Sequence, residues 1–139
     1  MPRAVLDPNV LVSALISPTG SSARLLIELR AGSFELVTSE QLLAELGDVL
    51  HRDRFRRYVT QAEAAAYVEF LRQQSILLDD PEPSLETLSI DPDDEYLIDL
   101  ARSARAEALV SGDDHVLRLR GVIPAVSAHE FLKSLHDQK

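Results

Sequence analysis

The stretch Val5-Leu6-Asp7-Pro8-Asn9-Val10-Leu11-Val12-Ser13-Ala14-Leu15 decides the architecture. Arg3 to Asp7 reads as a short strand closing on an acid. The apolar run from Val10 to Ile16 follows at once, and Ser17-Pro18-Thr19-Gly20 breaks it. The same alternation continues down the chain. Ser21 or Ser22 can cap a helix carrying Leu25, Leu26 and Leu29, which Gly32 ends. Phe34 to Val37 reads as a second strand, and Ser39 as the N-cap of a helix bearing Leu42, Leu43, Leu46, Val49 and Leu50. Thr60 to Gln74 is a third helical pattern, with Tyr67, Val68, Phe70 and Leu71 mostly inward. Ser75 to Leu78 is a third strand. Asp79 to Asp91, with Pro81 and Pro83, predicts a mobile loop. A helix then starts at Asp93 or Asp94 and runs to about Arg105. Ala108 to Ser111 is strand four, Val116 to Leu119 a short helical turn, and Val122 to Val126 strand five. Pro124 places strand five at an edge, and Ser127 caps a last helix with Phe131, Leu132 and Leu135. Short strands alternating with helices predict an α/β fold with a mostly parallel sheet of about five strands covered on both faces.

Composition narrows the chemistry. The 139 residues, 45% hydrophobic, suit one domain over 1–139 with a sizeable core. Without cysteine, disulfide scaffolds, Cys-ligated zinc and thiol catalysis are excluded. No apolar run approaches the roughly 18–20 residues a membrane helix needs. Met1-Pro2-Arg3 shows no signal-peptide layout, so a cytoplasmic location without membrane contact is expected. Asp and Glu number 23 against 14 Lys and Arg, a net charge of −9. That argues against passive nucleic-acid binding through a basic face, so the placement of the acids matters more than their number.

Open parallel sheets put their sites at the carboxyl ends of strands, near a reversal of strand order. Asp7 follows strand one and Asp113 follows strand four. If both strands are central, the two acids come close, and like charges raise each other's pKa unless a cation neutralises them. Each also reads as an ordinary turn or cap aspartate. Asp91-Pro92-Asp93-Asp94-Glu95 holds more acid than helix capping needs. Asp94, with Leu97, Ile98 and Ala101 behind it, can face the sheet edge. Glu45 falls between Leu42, Leu46 and Val49, beside an apolar stripe, where a carboxylate is costly unless paired or metal-bound; on the rim of the stripe it reaches solvent instead. Several carboxylates without soft ligands suit a hard cation such as Mg²⁺. The four histidines have no ligand-like spacing, although His115 lies near Asp113, and neither a GxSxG elbow nor a P-loop is present. A phosphatase-like enzyme with an aspartate nucleophile, or a receiver domain, would need a nearby lysine, and the lysines are Lys133 and Lys139 alone.

These residues resemble the PIN-domain ribonucleases, in particular the VapC-like toxin components of toxin–antitoxin pairs. The resemblance rests on the opening Val5 to Leu15, the helix from Ser39 through Glu45 to Leu50, Asp91 to Ala101 with the family aspartate at Asp94, and Leu109-Val110-Ser111-Gly112-Asp113. The closing Glu130-Phe131-Leu132 is similar to one subgroup. Pro8 departs from the usual small polar residue, and His115 stands where many relatives carry an aspartate. The resemblance implies a three-layer α/β/α PIN-like fold and an endoribonuclease dependent on Mg²⁺ or Mn²⁺. It implies Asp7, Glu45, Asp94 and Asp113 as catalytic residues converging on one acidic pocket. Asp7, Asp94 and Asp113 would be the metal contacts, and Glu45 would bind a second ion or orient the attacking water. Asn9 and Ser111 would support the carboxylates or contact phosphate, with Asp114 a further supporting acid or a solvent-facing one. Arg52, Arg54, Arg56 and Arg57 form the expected RNA track, or equally a surface for an antitoxin tail or an exposed, salt-bridged helix end. A cognate antitoxin and a homodimer or higher homo-oligomer are the implied partners, the latter through the helices Ser39–Leu50 and Thr60–Gln74. The alternative is a PIN fold of weak activity serving as a binding or regulatory protein.

Overall fold

The structure is a computed structural model that describes residues 1–82 and 92–137. Five strands form one sheet: β1 (Arg3–Leu6), β2 (Glu35–Thr38), β3 (Ser75–Leu77), β4 (Ala108–Val110) and β5 (Ala125–Val126). Their spatial order is β3-β2-β1-β4-β5, and every ladder is parallel. β1 is central, with Val5 level with Val37 on one side and Leu109 on the other. Ala4, Val5, Leu6, Leu36, Val37 and Leu109 are all buried, which is why these strands read as continuous apolar runs.

The helices are α1 (Pro8–Ile16), α2 (Ser21–Arg30), α3 (Glu40–Leu50), α4 (Gln61–Gln74), α5 (Pro92–Ser103), α6 (Asp114–Leu117) and α7 (Ala128–Asp137), with a 3-10 turn at Asp53–Phe55. From β1 to β3 the chain moves one way across the sheet, and from β3 to β5 the other way. Right-handed crossovers therefore put α1 to α4 on one face and α5 on the other, giving the expected three-layer α/β/α arrangement. The strand order reverses between β1 and β4, so a crevice opens beyond their carboxyl ends.

Local chemistry sets the boundaries. The Ser39 hydroxyl accepts from the Leu42 N–H, as a capping serine should. Thr60 and Glu63 form a reciprocal capping box, and Ser127 and Glu130 exchange the same pair of bonds. Gly32 takes φ +79° to end α2, a conformation that glycine alone reaches freely.

Four expectations shift. α2 is preceded by Gly20 and has no side-chain cap, so neither Ser21 nor Ser22 fills that role. α5 begins at Pro92, whose fixed φ suits a first turn. The short helix is Asp114–Leu117, earlier than Val116 to Leu119, because the Asp113 carboxylate caps it through the His115 N–H at 2.8 Å. β5 is only Ala125–Val126. Pro124 has no N–H for the ladder, although its carbonyl accepts from Leu109 at 2.9 Å, and the strand does lie at the edge. Positions 83–91 of the expected loop Asp79–Asp91 lie outside the described residues. Among the described residues, no single helix is long and apolar enough to cross a membrane.

Tyr67 ties α4 to α1 within one helical layer. Its buried hydroxyl donates to the Leu11 carbonyl at 2.7 Å, and burial pushes the phenol pKa up. Tyr67→Phe is expected to lower stability by about 1 kcal/mol, since one buried acceptor loses its donor while the ring packing is kept. Chemical denaturation should show a lower midpoint at unchanged slope; an unchanged midpoint would refute the tether.

Candidate active site

The crevice at the strand reversal is built by β1 and β4. The Asp7 N–H donates to the Val110 carbonyl at 2.9 Å, which carries the pairing of the two strands one residue past β1. The Asp7 side chain then caps α1, its Oδ1 accepting from the Asn9 N–H at 3.0 Å. Its Oδ2 accepts from the Ser111 hydroxyl at 3.0 Å, and the Ser111 Oγ in turn accepts from the Asp113 N–H at 3.0 Å. One buried serine thus links both acidic strand ends. Asp7 is only 6% exposed, while Asp113 is half-buried.

A cavity of about 390 Å³ opens here, lined among the described residues by Asp7, Asn9, Ser13, Ser22, Asp113 and several small or apolar neighbours. Burial raises the Asp7 pKa above the usual carboxylate value. The bonds from Asn9 and Ser111 work the other way, and the nearby Asp113 charge raises it further. Ionising a carboxylate that is buried and faces a like charge costs stability.

The remaining sequence candidates lie outside this lining. Asp94 is buried in the first turn of α5, and Glu45 is half-buried on α3; neither lines this cavity. Glu45 borders a different hollow with Gln41, Asp48 and Arg52, and its Oε2 accepts from the Tyr96 hydroxyl at 2.8 Å. Asp114 and His115 are exposed and do not line the cavity. Among the described residues, no group of three or more His, Asp or Glu side chains is placed to hold a metal ion.

The arginines also divide. Arg56 donates to the backbone carbonyls of His51 at 2.9 Å and Val59 at 3.3 Å, so it shapes its own loop. Arg52 borders the Glu45 hollow. Arg54 and Arg57 line a groove of about 450 Å³ that shares Asn9 and Ser13 with the acidic cavity.

Sequence reasoning missed Ser13, Ser22 and Tyr96. Ser13 stands four residues after Asn9 on α1, the spacing of one helical face, and could have been found. Ser22 and Tyr96 arrive from other elements, α2 and α5, and carry no local signal.

The parallel α/β/α sheet, with acids beyond the carboxyl ends of two adjacent strands at its reversal, defines the open-sheet α/β class, in which such a crevice is the place where ligands bind. Within that class the chain belongs to the PIN domain family, whose model matches residues 3–115. Among solved structures, VapBC2 from Rickettsia felis, bound to a DNA fragment from its promoter, has a similar fold. The TM-score is 0.63 at 16% identity, over 90% of this chain and 98% of that one. No curated protein matches the chain.

Proposed function

We propose that this chain is a ribonuclease of the VapC-like kind, the toxin of a toxin–antitoxin pair, dependent on Mg²⁺ or Mn²⁺ and acting at Asp7 and Asp113. The carrying observation is the Asp7–Ser111–Asp113 network at the reversal between β1 and β4. Family membership supports nuclease chemistry, and the likeness to VapBC2 makes an antitoxin partner the natural expectation. Glu45 and Asp94 complete the proposed catalytic set, and self-association through α3 and α4 follows from the same resemblance.

The donor set at the cavity is oxygen alone. Mg²⁺ binds typically through one or two carboxylates, several waters and substrate phosphate rather than a full protein cage, so two acids fit it. When bound, such an ion supplies positive charge for a phosphodiester and an acidified water. The chain's own part is positional. Ser111 holds Asp7 and the Asp113 backbone in one register, and the Asn9 N–H fixes the other Asp7 oxygen.

A second reading, a PIN-fold binding or regulatory protein of weak activity, is favoured by a specific observation: the lack of a three-ligand group among the described residues. On placement of ligands alone it has the stronger support. The ribonuclease reading draws on the acid network and the family. Incubating a mixed RNA pool with Mn²⁺ or Mg²⁺ separates them. Cleavage is expected with either ion and is expected to vanish in chelator, with calorimetric titration showing the ion binding. Absence of both cleavage and ion binding would establish the second reading instead.

A further inference from the structure

We propose that the groove lined by Asn9, Ser13, Arg54, Arg57 and Tyr58 holds the single-stranded RNA segment adjoining the bond at Asp7 and Asp113. Arg54 and Arg57 take backbone phosphates, and Tyr58 offers a stacking face. This rests on the ribonuclease reading above.

Three observations carry it. The groove and the acidic cavity have Asn9 and Ser13 in common, so one extended polymer can lie along both. The two arginines stand out in a chain of net charge −9, and both are exposed. Each lies over a ring: Arg54 is 4.7 Å from the Phe55 centroid and Arg57 is 5.0 Å from that of Tyr58, which is 52% exposed. Guanidinium beside an accessible aromatic ring is the chemistry that receives a phosphate and its neighbouring base together. An acidic protein segment would use the cations but leaves the ring without a purpose. Of the other two arginines of the expected track, Arg56 donates to backbone carbonyls of its own loop and Arg52 borders another hollow, so neither lines this groove.

The test is fluorescence anisotropy of a labelled short oligoribonucleotide in chelator, across a salt series, with an acidic peptide as a second probe. The double variant R54Q/R57Q is expected to bind RNA at least about tenfold more weakly, with the salt slope reduced by about 1.4 for two lost single-strand phosphate contacts. Tyr58→Leu is expected to weaken binding about fivefold or more through lost stacking. Arg102→Gln, in the last turn of α5 and outside the lining of both the groove and the cavity, should bind as the native chain does. Unchanged RNA binding by the double variant, or loss confined to the acidic peptide, overturns the proposal. If the native chain cleaves RNA with Mn²⁺ while that variant still binds normally, the groove assignment fails and the ribonuclease reading stands. If the native chain neither binds nor cleaves RNA, both fail.

Discussion

Asp7→Asn is expected to reduce metal-dependent RNA cleavage by about 100-fold or more while making the protein more stable. The two effects share one cause. Asp7 sits buried at the end of β1, close enough to Asp113 for the two charges to repel, and its pKa is raised. In the unfolded chain the same carboxyl has its ordinary, lower value. Above the raised folded pKa the ionised carboxylate therefore disfavours the folded state, and this cost fades as pH falls through that value. Asparagine keeps the oxygen that receives the Asn9 N–H and carries no charge, so the cost disappears at neutral pH. In chelator, where no cation offsets the repulsion, the melting temperature should rise by roughly 2–8 °C, for a gain of about 1 kcal/mol. The gain should shrink in acid. Thermal melts from neutral to acidic pH and cleavage assays at matched purity check both halves. Undiminished cleavage would remove Asp7 from the chemistry, and a lower melting temperature would contradict the electrostatic account.

Leu6→Ala is expected to cost about 2–5 kcal/mol, lowering the melting temperature by roughly 10 °C or more. Leu6 is 1% exposed, ends β1 level with Val110 of β4, and directly precedes Asp7. Truncation leaves a void in the middle of the sheet, where strands on both sides limit collapse. Ile27→Ala, at a side chain 65% exposed on α2, should stay within about 0.5 kcal/mol of the native chain. Urea denaturation provides the comparison. Similar midpoints for the two variants would mean that β1 is not the centre of the core.

Much of the fold is legible because apolar residues repeat with the period of their element. Leu36 and Val37 run without a break because β2 is buried on both faces, and Leu42, Leu43, Leu46, Val49 and Leu50 mark the buried side of α3. Caps at Ser39 and Ser127 are legible because a hydroxyl bonds to an amide only three residues on. Boundaries that depend on a neighbouring strand are not. β5 begins at Ala125 because pairing with β4 starts there, and nothing within Val122 to Val126 says so.

The candidate site divides along the same line. Order along the chain determined that Asp7 and Asp113 each follow a strand and that Asn9 lies in reach of Asp7, since an Asx-type bond spans two residues. Only the tertiary structure decided that β1 and β4 are neighbours, that Ser111 reaches Asp7 across 104 positions, and that Glu45, outside the cavity lining, meets Tyr96. It also decided which two of the four arginines face the groove beside Asn9. The physical reason is range. Propensities, caps and periodicity act within about one or two helical turns, whereas strand order and the meeting of side chains from different elements follow from burying all the apolar faces at once.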